Sequence, residues 1–428
     1  MNGTAICQSI LETVHTLVHS SLFLHAYSIG NAFTRLRKLT FLNVFFYLLN
    51  ISKKAMPIHM SDFMEDFQCV GFPAVSKQAL SKARRGISPE AFAELCRISA
   101  QKFYETSASL RRWHGYLVMA IDGTSLQLPQ TKRNMDVFGR AKNQSETPRA
   151  AASASALFDV LNDLVVDPWI GALNYGERRR AFRHMDALAC IKPDQGDVLL
   201  VMDRGYPSHE MFREIINRGM SFVIRLGSSF SASITRHPGG DFFVDYAPKR
   251  CTEPVRLRIV RVVLDDGTVE TLATNLYSPA FTAEMFRELY FLRWKEESKY
   301  YELKERIGIE EFSGSHPAAI RQDFFISIFV SNLAAVLKKD VDMKILQERE
   351  NKCSENQFQY QANRSYLISR INKFLVKMLA GELKITEALQ KIAALSQKVV
   401  SQIQPGRKYS RKKKSRKLKH YNNRKTCL

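Results

Sequence analysis

Two short apolar runs, YLVMAID at 116–122 and DVLLVMD at 197–203, each close on an aspartate. Compact apolar runs of this length, without polar alternation, read as strands covered on both faces. The segments around them fix the order of elements. ASASALFDV and LVVDPWI flank Leu161-Asn162-Asp163, which is a hairpin pattern, and GERRRAFRHMDALACI reads as a helix. After Asp203, SHEMFREIINRG reads as a helix with a glycine stop, and SFVIRL as a further strand. From 116 to 226 the order is therefore strand, strand, strand, helix, strand, helix, strand. Three strands on short turns followed by helix–strand alternation predict a mixed α/β sheet with flanking helices. Ribonuclease H-like folds have the same order, which is an analogy of fold only.

The remaining segments divide the chain as follows. Residues 1–112 read as a helical region and 113–227 as the first part of the mixed-sheet domain. Turn-rich β-forming sequence over 228–280, with VRLRIVRVVL and TVETLATNL about a DDG turn, predicts an inserted β subdomain. A long helix runs from about Thr282 to Ile307 with Gly308 as its stop, and an apolar helix follows, so that 281–345 forms one unit. Residues 346–404 read as helical, and 405–428 as a basic, disordered tail.

Charge narrows the partners. The formal net charge is +21, which points to a polyanion such as nucleic acid or an acidic membrane surface, although a basic solvated surface has the same sign. Arg407 to Lys425 holds eleven Lys/Arg and no acid, and removing them leaves +10 on the rest. Residues 31–112 carry thirteen Lys/Arg against six Asp/Glu. Within them, Ser76 is placed to cap a short helix bearing Lys77, Lys82, Arg84 and Arg85, and Ser88-Pro89-Glu90 opens another. Basic helix pairs of this kind meet DNA backbones, and they also occur as plain solvated faces.

Seven cysteines without a CxxC pair argue against a zinc ribbon and fit reduced thiols in a cytoplasm. The apolar runs Phe41–Leu49 and Phe324–Leu337 are shorter than the ~20 residues that span a bilayer, so they are expected as buried helices of a soluble protein.

The chemistry rests on carboxylates. Adjacent strands of one sheet bring their carboxyl ends together, and two acids brought close require a proton or a cation between them. Strand-end Asp residues are also common turn formers, so neither Asp122 nor Asp203 is diagnostic alone. The long helix adds to them. Tyr290, Arg293, Glu297 and Lys304 stand at offsets 0, 3, 7 and 14, which at ~100° per residue share about 60° of arc along some 21 Å. Met285, Leu289, Leu292, Leu303 and Ile307 occupy an adjacent packing arc. A carboxylate between two cations suits a site where metal meets phosphate, whereas Arg293–Glu297 also has ordinary i,i+4 ion-pair spacing.

These residues resemble bacterial insertion-sequence transposases with an Asp-Asp-Glu triad, of the insertion-sequence-four type. That group carries Tyr-(2)-Arg-(3)-Glu-(6)-Lys on the glutamate helix, complete here in YFLRWKEESKYYELK. IDGTSLQLP at 121–129 is similar to its first motif and DRGYPS at 203–208 to its second, and the resemblance covers nearly the whole chain. One position departs. The residue before the catalytic glutamate is usually apolar, and here it is Glu296, on the packing arc. Either the helix is exposed there or Glu296 has a partner; spacing and helical wheel favour Glu297 as the metal ligand.

The resemblance implies a metal-dependent transposase. Asp122, Asp203 and Glu297 would hold two Mg²⁺ or Mn²⁺ ions for phosphodiester hydrolysis at transposon ends and for strand transfer into target DNA, with a hairpin step. Tyr290, Arg293 and Lys304 would grip terminal phosphates, Arg204 and Tyr206 would position the strand end, and Trp294 would stack on an unpaired base or pack in the helix. Glu177 and His184 lie on the intervening helix and would approach the metals or form a structural ion pair. The implied partners are terminal-repeat and target DNA, with a dimer on paired ends in a cytoplasmic, nucleoid-associated setting. Alternatives are a non-catalytic DNA-binding derivative and a nuclease without strand transfer.

Overall fold

The computed structural model describes residues 2–403 except 36, 53, 107–109, 142–147, 193, 249–252 and 351–358. The expected basic tail lies outside the described residues. The N-terminal region is helical: α1 (Gly3–Val18), α2 (Ser21–Tyr27), α3 (Phe41–Leu49), α4 (Met56–Asp66), α5 (Lys77–Arg84) and α6 (Glu90–Thr106). The Ser76 hydroxyl accepts from the Ala79 N–H and starts α5 as anticipated. Arg84 does not join a basic face. It turns inward, donating to Gln322 at 2.6 Å and to Asp323 at 2.7 Å.

The sheet strands are β1 (Leu117–Gln127), β2 (Arg140–Ala141), β3 (Arg149–Asp159), β4 (Leu164–Gly171), β5 (Val198–Met202), β6 (Ser221–Leu226), β7 (Asp241–Tyr246), β8 (Val255–Val263) and β9 (Val269–Thr274). Between them lie α7 (Lys132–Val137), α8 (Glu177–Ile191), α9 (His209–Asn217) and α10 (Ala232–Arg236). The order across the sheet is β2-β3-β1-β5-β6-β9-β8-β7, with β4 also paired to β3. β1 runs antiparallel to β3 and parallel to β5, and β5 runs parallel to β6. This is the ribonuclease H-like mixed sheet that the element order predicts.

Two expectations change. The β8–β9 hairpin forms, but β9 pairs antiparallel with β6 from Val223↔Thr274 to Leu226↔Thr271. The insertion therefore extends the main sheet and is not a separate subdomain, because an unpaired edge at β6 is completed by β9. β1 also continues past Asp122 to Gln127. Its parallel pairing with β5 ends at Ala120↔Val201, so Asp122 stands where β1 leaves its neighbour.

The glutamate helix is α11 (Ala283–Leu292) and α12 (Trp294–Glu302), followed by a π-helical turn over Leu303–Ile307 and Gly308 at φ 70°. Arg293 joins the two halves in right-handed helical geometry. Next comes α13 (Pro317–Glu350), then β10 (Gln359–Ala362), α14 (Arg364–Leu379), α15 (Ile385–Gln397) and β11 (Val400–Ile403). By length and composition α13 would pass for a membrane span, but 89% of its apolar window is buried inside the protein. It is the central core helix, contacted by α1, α6, α14, α15 and β4.

A buried polar network anchors the back of α12. Lys299 donates to Asp163 at 3.2 Å, and Arg364 of α14 binds both Asp163 and Glu302. Asp163 sits in the β3–β4 turn at φ 59°. The hairpin tip, the glutamate helix and α14 thus share one set of charges, and satisfying them fixes how α12 lies on the sheet.

Candidate active site

Asp122 is held on every side. Its backbone N–H, facing the side that β5 has vacated, donates to Glu296 Oε1 at 3.0 Å. Its carbonyl accepts from Tyr300 Oη at 3.0 Å and from Ser155 Oγ at 3.0 Å. Its own Oδ1 accepts from the Gly123 N–H at 2.7 Å. Gly123 allows a close approach: a Cβ there would stand 3.2 Å from Nη2 of buried Arg180. Arg180 is itself fixed by Ser153 Oγ at 2.9 Å and the Tyr175 carbonyl at 2.6 Å.

Asp203 follows β5, and the glutamate helix crosses above both aspartates. Tyr290 Oη donates to Asp203 Oδ1 at 3.3 Å, and Arg293 Nη2 reaches Glu297 Oε1 at 3.4 Å. Lys304 Nζ donates to Thr124 Oγ1 at 2.7 Å and to the Ser125 carbonyl at 2.9 Å, so it binds β1 beyond Asp122. The four residues of the helical stripe all face the ends of β1 and β5. The buried Arg293 guanidinium lies in the field of Asp203, Glu297 and Asp122 together. Burial raises the Asp122 carboxyl above its ordinary value, the Gly123 N–H and Arg293 pull it down, and Glu297 and Asp203 push it up. Three acids and one arginine thus act on each other as a single electrostatic unit.

An all-oxygen donor set of three carboxylates suits a hard divalent cation. Arg293 serves as the counter-charge in this arrangement, and its Nε is buried without a hydrogen-bond partner. Among the described residues no three His, Cys, Asp or Glu side chains form a close metal-ligating cluster. The donor chemistry fits a metal, and the arrangement is an open one with the carboxylates spread about Arg293.

Other expected residues fall variously. Arg204 is exposed beside Asp203, and Trp294 is 38% exposed, its ring 5.0 Å from the Arg293 guanidinium. Tyr206 is 2% exposed, which corrects the expectation that it meets DNA. The DRGYPS turn folds its ring into the core, where burial and the nearby Asp122 and Glu296 carboxylates hold its hydroxyl protonated. Glu177 pairs loosely with Arg180 at 3.8 Å. His184 is fully buried between Asp167 Oδ2 at 2.6 Å and Ser155 Oγ at 2.9 Å. It braces the serine that holds Asp122, which is the structural role left open above.

Glu296 is 1% exposed. It has the partner that its position demands, the Asp122 N–H, while its Oε2 is buried without one. Sequence reasoning flagged this residue but missed its partner, and it missed Ser155 and Tyr300 altogether. Tyr300 was within reach, since it lies one helical turn beyond Glu296 on the same face.

Comparison with known proteins identifies the family. The family described as transposase DDE domain matches residues 113–333, from β1's approach to the middle of α13. The match covers more than half of the chain, and the chain belongs to that family. Members generally use divalent metals and act on DNA by polynucleotidyl transfer. No curated protein matches the sequence. Among solved structures, a piggyBac transposase synaptic complex with hairpin DNA is similar over 91% of this chain and 82% of its own, with a TM-score of 0.47 and 10% identity. That likeness is too distant to carry a functional assignment.

Proposed function

We propose that this chain is a DNA transposase of the insertion-sequence-four type. It cuts phosphodiesters at transposon ends and joins the freed strand to target DNA by way of a hairpin at the ends. Asp122, Asp203 and Glu297 hold two ions, Mg²⁺ or Mn²⁺. Bound there, such ions would activate the attacking oxygen and stabilise the leaving one. The observation that carries this reading is Arg293 among three acids drawn from β1, the end of β5 and α12. An unused Arg293 Nε donor suits a phosphate oxygen, and Tyr290 orients Asp203 through its hydroxyl. The clamp of Glu296, Ser155 and Tyr300 on the Asp122 backbone gives the rigidity that metal catalysis requires. In this reading Arg204, Lys304 and Trp294 meet the strand end, and the N-terminal helices meet the terminal repeats. The working form is a dimer on paired ends, in the cytoplasm with the nucleoid.

The test is cleavage of end-bearing duplex with Mg²⁺ or Mn²⁺ by the parent chain and by Asp203→Asn. The variant is expected to lose at least about a hundredfold in rate, on the order of 3 kcal/mol of barrier. Ordinary metal-dependent cleavage by Asp203→Asn refutes the triad. Cleaved ends with no joined product reduce the reading to a nuclease.

A further inference from the structure

A cleft of about 220 Å³ opens where α5, α7 and the turn before α13 meet. Its lining includes Arg84, Arg85, Arg133, Ser315 and His316, and no acidic side chain. We infer that this cleft grips a phosphodiester of the same DNA whose end lies at Asp122, Asp203 and Glu297. The inference rests on the proposed transposase reading.

The three arginines differ in what they do. Arg84 is consumed by the fold, bonding Gln322, Asp323 and the Ala319 carbonyl. It forms a rigid floor that ties α5 to α13. Arg85 and Arg133 are exposed, and neither makes a hydrogen bond or ion pair with an acid among the described residues. Two unpaired guanidinium groups facing one cleft repel each other, and an anion between them relieves that repulsion. His316 feels both. Burial lowers its pKa first, and then Arg133, Arg85 and Arg84 add to the effect. Burial and the surrounding arginines both favour the neutral imidazole. Its Nδ1 accepts from the Ala318 N–H at 3.1 Å, which places the proton on Nε2 as a further donor.

The walls are fixed before any ligand arrives. Asn134, next to Arg133, is fully buried and donates from Nδ2 to the Ser315 carbonyl at 3.0 Å and to the Pro129 carbonyl at 2.8 Å. The α7 wall is thereby locked to the Ser315–His316 wall. A cavity of this size holds several waters, so a phosphate group with part of its hydration enters without repacking.

The location is within reach of a duplex whose end lies at the carboxylates. β1 leads from Asp122 to Gln127, and its continuation reaches Thr131, which also lines the cleft. Nine residues of extended chain span at most roughly 30 Å. That is about nine base pairs of duplex at ~3.4 Å per pair.

The experiment measures equilibrium binding of an end-bearing duplex at stepped KCl concentrations, by fluorescence anisotropy. The full chain carries Asp203→Asn so that the DNA stays intact. Added to it are either Arg85→Ala with Arg133→Ala, or the control pair Lys384→Ala with Lys391→Ala, two exposed lysines at the N-cap and on the outer face of α15. The cleft pair is expected to weaken binding several-fold and to flatten the slope of log affinity against log salt by about 1, the share of one released phosphate contact. The control pair is expected to leave the slope unchanged. An unchanged slope in the cleft pair, or an equal change in both pairs, overturns the inference. Failure of the parent chain to cleave ends would instead refute the proposed function, and it leaves the comparison of binding slopes intact.

Discussion

Glu296 holds the Asp122 backbone, and its replacement gives a quantitative test of the site. Its carboxyl is fully buried, bonds the Asp122 N–H through Oε1, and leaves Oε2 unpaired. Burial raises its pKa well above the ordinary value, Asp122 raises it further, and the Asp122 N–H and Arg293 oppose without winning. A carboxyl with a raised pKa in the folded state contributes its full stability below the ordinary carboxylate range. That contribution is lost as pH climbs through the folded value. Glu296→Gln keeps the acceptor for the Asp122 N–H and never ionises. Without metal, the variant should match the parent near pH 5 and exceed it near pH 8. The gap grows by about 1.4 kcal/mol for each pH unit between the ordinary carboxylate range and the raised folded pKa, and it stays constant above that. Glu296→Leu also removes the ionisation but strands the Asp122 N–H, which costs about 1–3 kcal/mol against Gln at every pH. Thermal midpoints in EDTA across this pH range read both effects, at roughly 1–2 °C per kcal/mol for a chain of this length. A Gln variant that loses ground to the parent as pH rises would show that Glu296 is ionised and held by Arg293. A Leu variant as stable as Gln would show that the Asp122 N–H needs no acceptor.

Further tests address the surroundings of the site. Gly123→Ala drives a Cβ to 3.2 Å from Arg180, and it should lower the cleavage rate about tenfold by shifting Asp122, with DNA affinity unchanged; an unaltered rate means Arg180 has room to yield. Lys299→Met leaves Asp163 and Glu302 sharing Arg364 alone, and should cost on the order of 3 kcal/mol, read as a lower thermal midpoint. An unchanged midpoint there would mean that the network does not anchor α12.

Much of this was legible because it is local. YLVMAID and DVLLVMD form β1 and β5, since uninterrupted apolar runs have no stable place except inside a covered sheet. Ser76 starts α5 and Gly308 ends the glutamate helix, because caps act over a few residues. The stripe of Tyr290, Arg293, Glu297 and Lys304 faces the sheet as the helical wheel requires, despite the π-helical turn at its end. The apolar run in α13 was read as a buried helix, but its extent to 34 residues was not, since polar flanks conceal where a helix continues.

Legible in the residues alone were the main strands and helices of the sheet apart from α7 and β2, the acids Asp122 in β1 and Asp203 after β5, and the spacing that puts Glu297 with Arg293. These follow from backbone periodicity and from apolar residues avoiding water, which need no knowledge of distant neighbours. Only the tertiary structure decided what those acids touch. It joined β9 to β6, turned Arg84 inward, buried Tyr206, and closed Glu296, Ser155 and Tyr300 around Asp122. Apart from the burial of Tyr206, each is a pairing across more than 30 residues of chain, where the need of buried polar groups for partners selects one neighbour among many. That selection is made only when the whole core packs.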